Sequence, residues 1–348
     1  MDAHQTPGPG RRRAPVMADV GRLAGVSHQT VSRVINGSRS VRPETRERVL
    51  AAMRSLGYRP NPVARALATG RSNTLGVVSF DTTLYGPAST LFGIERAAHE
   101  AGYFTIIASL KALNRSSVPE AIERLLQQGV DGILVIAPEE ESAEAALHAP
   151  VGDIPLVAVE AGPARGVPVV AIDQFAGSAA ATRHLLELGH ETVWHIAGPL
   201  SFIEAQRRLD GWRSELERAG KAVPEPLQGD WSARSGYELG QQLSREESVT
   251  AIFAANDQMA LGVLRALHEQ QRKIPEEVSL VGFDDIPEAP YFSPPLTTVR
   301  QDFDDMGTRS VRLLLRMMEG ERVRSGTTAE PELLVRASTA PAPRRPAN

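Results

Sequence analysis

Two groups of polar residues in this chain of 348 residues carry recognisable chemistry. The first lies between Met17 and Gly37, in MADVGRLAGVSHQTVSRVING. Helical spacing turns Val31, Val34 and Ile35 to one side and leaves His28, Gln29, Ser32 and Arg33 on the other. Glutamine pairs bidentately with adenine and arginine with guanine, so this face has the chemistry to read base edges. The second group follows apolar runs: Glu160 after LVAV, Asn256 after AIFAA and Asp284 after LVGF. In open α/β sheets ligands bind beyond the carboxyl ends of strands, and an amide with two carboxylates can hold hydroxyls. Ordinary roles compete in each case: a helical hairpin for the first group, a helix cap for Asn256 or Asp257, and a turn for Asp284-Asp285.

Other chemistries find little support. With no cysteine there is no disulfide framework, thiol nucleophile or cysteine-based metal site. His184, Glu187 and His190 could suggest a metal, but Gly189 would break the helix between them, and the structural reading is preferred. No P-loop, G-x-G-x-x-G, G-x-S-x-G or H-E-x-x-H is present. Neither a cofactor, a metal nor an enzymatic activity is expected.

These residues need elements to position them. Met17–Ala24 is a first helix with Val20, Leu23 and Ala24 on one face; Gly25 ends it and Ser27 caps a second helix from His28 to about Asn36. Small residues at the elbow and a polar second helix form the pattern of a helix-turn-helix, whose second helix enters the major groove. A third helix starts at Pro43, buries Val49, Met53 and Leu56, and stops at Gly57. Asn61 caps a two-turn, alanine-rich helix starting at Pro62, too short to be stable alone. From Thr74 the pattern becomes strand–helix alternation. Apolar runs at 75–80, 103–108, 132–136, 156–159, 169–172, 193–197, 251–254 and 280–283 read as buried parallel strands, with helices between most of them. The segment is too long for one core, so two lobes are expected.

Charge supports a split chain. Residues 1–71 hold 13 Arg, no Lys and 4 acidic residues, a formal +9; the remainder holds 25 basic and 38 acidic residues, a formal −13. A basic head on an acidic body suits a DNA-binding domain joined to a sensor. Met1 to Pro15 reads as a disordered arm in which Arg11 to Arg13 add attraction to phosphate. It has no apolar run of a signal peptide, and no stretch is long enough to span a bilayer, so a cytoplasmic protein without a membrane partner is expected.

Asp19-Val20, Ala24-Gly25-Val26-Ser27, Gln29-Thr30-Val31-Ser32-Arg33-Val34 and Asn36 resemble the N-terminal signature of the LacI/GalR family of bacterial transcription regulators. The resemblance runs from Val16 to about Val335 and is closest in GDWSARSG, ANDQMALG and PPLTTVRQDF. It implies an all-α helix-turn-helix domain at 16–60, a hinge helix and linker at 61–73, and a two-lobed, periplasmic-binding-protein-like α/β sensor at 74–337. The first lobe would take 74–172 and the helix near 302–320. The second would take about 173–300 and a last strand at 333–335, with a disordered tail at 338–348. Arg42 stands where the family usually caps its third helix, at a cost of ~1 kcal/mol.

By the same resemblance Ser27, His28, Gln29, Thr30, Ser32, Arg33 and Asn36 face DNA. Asn61, Ala64 and Leu67 belong to the hinge, with Leu67 wedged into the minor groove. Arg208, Asn256 and Asp284 would hold sugar hydroxyls, Trp231 and Phe303 would pack beside the ring, and Leu84 and Pro87 would form an apolar wall. Phe80 at the pocket floor and Glu160 depart from the usual smaller residues. The implied function is a repressor of carbohydrate-utilisation genes, homodimeric because no terminal leucine heptads follow, and released from a palindromic operator by a sugar or glycoside. A regulator that needs its ligand to bind DNA, or a sugar-binding protein without a DNA function, are the alternatives.

Overall fold

The computed structural model describes residues 15–35, 37–38, 40–59, 66, 70–110, 117–149, 151–162, 167–323 and 326–343. The arm with Arg11 to Arg13, Asn36 and the hinge residues Asn61, Ala64 and Leu67 lie outside them. The chain divides into two compact units, residues 1–72 and 73–348.

In the first unit, α1 (Met17–Ala24) starts where the Val16 N–H donates to the Asp19 carboxylate at 3.0 Å, and ends at Gly25 with φ +66°. The Ser27 hydroxyl accepts from the Thr30 N–H at 3.2 Å and starts α2 (His28–Ile35). Helix α3 (Pro43–Leu56) has no side-chain cap at Arg42, as the sequence implies. Val20, Ala24, Val31, Val34, Val49 and Ala52 form the core. Leu23, expected beside Val20, is instead 55% exposed. On this short helix Ala24, four residues on, takes the buried place and Leu23 rolls to the outside.

In the second unit, β1 (Thr74–Phe80), α4 (Tyr85–Glu100), β2 (Phe104–Leu110), α5 (Ser117–Gln127), β3 (Gly132–Ile136), α6 (Glu140–Leu147), β4 (Leu156–Val159) and β5 (Val169–Ile172) build the first lobe. The chain then crosses to α7 (Gln174–Glu187), β6 (Trp194–Ala197), α8 (Ile203–Arg218), β7 (Leu227–Gln228), α9 (Ala233–Leu243), β8 (Ala251–Ala254), α10 (Asp257–Glu269), β9 (Ser279–Asp284) and β10 (Thr297–Arg300). It returns for α11 (Phe303–Met318) and β11 (Thr327–Ala329), and crosses a last time for β12 (Glu332–Leu334).

The first sheet has the order β11-β5-β4-β3-β1-β2, all parallel; the second has β12-β10-β9-β8-β6-β7, with only β12 antiparallel. Strands β3, β4 and β8 are buried along their whole length, which is why they read as continuous apolar runs. Helix α11 belongs to the first lobe as expected: Phe303, Met306, Val311 and Leu314 share a core with Ile94, Leu134 and Val157. Burying each such side chain is worth about 1.5–3 kcal/mol. The first sheet also takes β11, which was not expected.

The tail departs from expectation. Ser338 is fully buried; its hydroxyl donates to the Leu280 carbonyl at 2.6 Å and accepts from the Thr297 N–H at 2.8 Å. The Ala342 N–H reaches the Leu188 carbonyl at 2.9 Å. Small residues with hydroxyls complete backbone bonding of the second lobe here, so composition alone misreads 338–343 as structureless. His190 joins the same network through Thr250 at 3.0 Å, Ser279 at 3.1 Å and the Ala340 carbonyl at 3.2 Å, and His184 through Thr339 at 3.0 Å. Burial lowers both histidines from their usual value. These are structural contacts, and among the described residues no group of three or more His, Asp or Glu is placed to hold a metal.

Candidate functional site

The α2 helix presents His28, Gln29 and Arg33 as exposed side chains over a base formed by Val31 and Val34. Ser27 and Thr30 pair their hydroxyls at 3.0 Å, so both serve the start of the helix.

In the second unit a cavity of about 310 Å³ opens between the lobes. Every wall comes from just beyond the carboxyl end of a parallel strand, where such sheets bind ligands. From the first lobe come Leu84, Tyr85 and Pro87 after β1, and Pro138 after β3. From the second come Phe202, Glu204 and Arg208 at α8, Trp231 after β7, Asn256 after β8 and Asp284 at the end of β9. Leu84, Pro87, Arg208, Trp231, Asn256 and Asp284 thus line one cavity.

Three expected residues do not. Phe80 packs against Phe202, ring centroids 6.0 Å apart, and Phe202 stands in front of it. Phe303 meets Tyr85 edge-on at 5.8 Å, and Tyr85 faces the cavity in its place. Glu160 lines a second recess, on the other side of Glu204. In each case a residue from a neighbouring loop or helix start reaches the cavity first. Tyr85, Phe202 and Glu204 went unnoticed in the sequence because each sits at a helix start, where ordinary packing explains it. Gln301 also lines the cavity, immediately after β10.

The indole of Trp231 lies over Gly198, where an added Cβ would come 2.2 Å from its Cη2. Trp231 itself has φ +72°, a conformation that costs a side-chain-bearing residue about 1–3 kcal/mol unless its surroundings fix it. They do so here. The Asn256 Nδ2 donates to the Trp231 carbonyl at 3.0 Å, and Asp230 accepts from the Ser232 N–H at 2.9 Å. Asn256 also caps α10, its Oδ1 accepting from the Met259 N–H at 2.9 Å, so the cap role and the cavity position coexist.

Arg208 is 2% exposed and lies 3.9 Å over the Phe283 ring. Its Nε donates to Gln174 Oε1 at 2.8 Å, its Nη1 to the Ala255 carbonyl, and its Nη2 stands 3.4 Å from Asp284 Oδ1 and 3.8 Å from Glu204. Burial pushes the Asp284 carboxyl up to about 7; Arg208 opposes this and Glu204 adds to it. Burial raises Glu204 as well, against the pull of Arg208. Glu160 is raised well above the usual carboxylate range by burial and then by Glu204, with the Thr90 hydroxyl opposing.

Comparison with known proteins agrees with this arrangement. Residues 16–61 match the model of bacterial regulatory proteins, lacI family, and residues 182–339 match the periplasmic binding protein-like domain. The lactose operon repressor of Escherichia coli (strain K12) is 35% identical over 326 residues, 93% of this chain and 90% of that protein. The HTH-type transcriptional repressor PurR of Haemophilus influenzae (strain PittEE) is 35% identical over 92% of this chain and 97% of its own. The crystal structure of the lac repressor dimer bound to operator and the anti-inducer ONPF superposes with a TM-score of 0.85 at 34% identity, covering 94% of this chain and 100% of that one. The chain belongs to the lacI family of bacterial regulatory proteins. It is a DNA-binding transcriptional regulator, not an enzyme.

Proposed function

We propose that the protein is a sugar-released repressor of carbohydrate-utilisation genes: a cytoplasmic homodimer that holds a palindromic operator until a sugar or glycoside fills the cavity between its lobes. The observation that carries this reading is the grouping of Trp231, Arg208, Asn256 and Asp284 around one cavity. An indole face with a guanidinium, an amide and a carboxyl at its edge suits a ring that is apolar on its face and hydroxylated at its rim. The exposed His28, Gln29 and Arg33 supply the base-reading face. Ligand and operator are then coupled reciprocally, each weakening the other.

Dimerisation is supported by exposed apolar side chains at Phe92, Phe104 and Ile107 of the first lobe, where β2 is the free edge of its sheet. No described helix is long and apolar enough to cross a membrane.

The test starts with selection of an operator from random DNA by the full-length protein. Galactosides, glucosides, arabinosides and xylosides are then screened for release of that operator. Release by a neutral sugar supports the reading; tighter DNA binding in its presence makes it a corepressor; release only by a purine or a sugar phosphate overturns the sugar assignment. Sedimentation at micromolar concentration is expected to give a dimer, and a monomer or tetramer overturns that part.

A further inference from the structure

The cavity contains more acid than base. Glu204, Asp230 and Asp284 line it against a single guanidinium, Arg208. Arg208 is also largely committed within the protein, to Gln174, the Ala255 carbonyl and Asp284. Two further donors are turned to carboxyls: Gln301 Nε2 gives to Asp284 at 2.7 Å, and the Ser232 hydroxyl gives to Asp230 at 2.5 Å.

Acceptor capacity remains on this wall. Glu204 has its nearest basic partner 3.8 Å away. The Gln258 Oε1 on the cavity wall is buried without a partner among the described residues. Across Glu204, in the adjoining recess, Glu160 is 5% exposed and its Oε2 is likewise buried and unpartnered. Around these acceptors stand the aromatic rings of Tyr85, Phe202 and Trp231, the last two in an edge-on pair at 5.8 Å. Carboxylates beside aromatic faces form an environment that attracts an organic cation. Several buried carboxyls around one guanidinium need either a proton or a cation for balance.

We propose that the effector is a cationic carbohydrate, an amino sugar or a glycoside bearing a protonated amine, whose ammonium lies against Glu204 and Asp284 while its ring covers Trp231. This rests on the sugar reading above and narrows it. An ammonium brings three donors and a positive charge to a wall on which three carboxyls face one guanidinium. An anionic effector such as a sugar phosphate would meet the same carboxyls as repulsion.

The proposal carries a proton signature. Burial pushes the Asp284 carboxyl up to about 7, so near and below that pH it holds a proton that an ammonium would displace, and burial moves Glu204 in the same direction. The titratable and charged groups facing them are Arg208 on α8, Asp230 after β7, Asp257 on α10, Asp285 after β9, Tyr85 on α4 and Glu160 after β4. Binding of the amine therefore releases protons near and below pH 7, and its affinity falls as the pH is lowered through that region. A neutral sugar releases none.

The experiment is calorimetric titration of the full-length protein with D-galactosamine and D-glucosamine, with D-galactose and D-glucose, and with the N-acetylated amines. The expected result is that at least one amine binds ~10-fold or more tighter than its neutral parent, about 1.4 kcal/mol, and that N-acetylation removes the gain. In Glu204→Gln the preference of amine over parent falls to near unity. Wild-type heats in buffers of different ionisation enthalpy report the proton release independently of any variant. Parent sugars binding as well as the amines, or amine binding without proton release, overturn the inference and leave the sugar reading standing. If neither amines nor parents bind while a phosphorylated sugar or a purine does, both fall.

Discussion

Gln174 and Gln301 stand in two different crossings between the lobes, and the Gln174 Nε2 donates to Gln301 Oε1 at 2.7 Å. Each also holds one member of the buried ion pair: Gln174 Oε1 accepts from Arg208, and Gln301 Nε2 donates to Asp284 at 2.7 Å. With Arg208 3.4 Å from Asp284, the four side chains close a ring. Two chain crossings between the lobes are thus tied to two cavity residues. Replacing Gln301 with Ala takes the acceptor from the Gln174 Nε2 and one donor from the Asp284 carboxyl while Arg208 still contacts both residues, which is expected to cost ~1–3 kcal/mol in stability. Urea unfolding of the wild type and Gln301→Ala measures this, and a difference below about 0.5 kcal/mol would show that the ring contributes nothing.

The raised carboxyls make stability pH-dependent with a definite sign. Burial pushes the Asp284 carboxyl up to about 7 in the folded protein, against about 3.9 for an unperturbed aspartate. Between those values the folded state holds a proton that the unfolded chain has lost, so stability falls as pH rises through this window and levels off above it. A displacement of this size amounts to something on the order of 4 kcal/mol, and Glu204 and Glu160 act in the same direction. The wild type should therefore lose more stability between pH 5 and pH 8 than Asp284→Asn does. Parallel profiles for the two proteins would be evidence against burial as the dominant effect at Asp284.

Much of the architecture is legible in the sequence, for a physical reason. Strands such as β3 and β8 are buried on both faces and so appear as unbroken apolar runs. By contrast β10 is Thr-Thr-Val-Arg, with its two threonines buried through hydrogen bonds to Ser338, Thr339 and Asp257, and nothing local marks it as core. Helix α9 contains Gly236 and Gly240, which read as breakers yet allow close packing on α10. In the site, Asn256 and Asp284 were marked by their place at strand ends, as was Glu160, which lines the adjoining recess, whereas Leu84, Pro87, Arg208 and Trp231 were marked only by the family resemblance. Tyr85, Phe202 and Glu204 were marked by neither, because facing a cavity depends on which neighbour stands in front, and that is decided by tertiary packing.

The C-terminal segment gives a direct contrast between composition and structure. Removing residues 338–348 takes away the Ser338 hydroxyl and the Ala340 carbonyl, leaving Leu280, Thr297 and His190 short of buried partners. The truncated protein is expected to lose more than ~2 kcal/mol of stability, seen as a lowered urea midpoint. A midpoint equal to that of the full chain would mean the segment is dispensable.

Arg33 is exposed on the outer side of α2 and carries the bidentate fork suited to guanine. Arg33→Ala is expected to weaken operator binding by ~1–3 kcal/mol and to relax one base position in each half-site. Binding to a library randomised across one half-site separates the outcomes: uniform weakening over all sequences would make Arg33 a phosphate contact.

Trp231 offers the most direct view of the cavity. Of the three tryptophans, Trp212 is fully buried and donates its Nε1–H to the Val193 carbonyl at 2.9 Å, and Trp194 lies outside the cavity lining. Trp231 alone lines the cavity, its indole fixed over Gly198 and its backbone held by Asn256. A sugar covering that indole removes water from it and should change its emission, with no comparable effect on the other two. Trp231→Phe keeps an aromatic face but a smaller one. The variant is expected to lose the ligand-dependent signal and to bind ~2–10-fold more weakly, in line with the ~0.5–1.5 kcal/mol of an aromatic contact. Trp194→Phe should retain both signal and affinity. If Trp231→Phe still reports ligand with the wild-type change in emission, the ligand binds elsewhere and the cavity between the lobes is not the effector site.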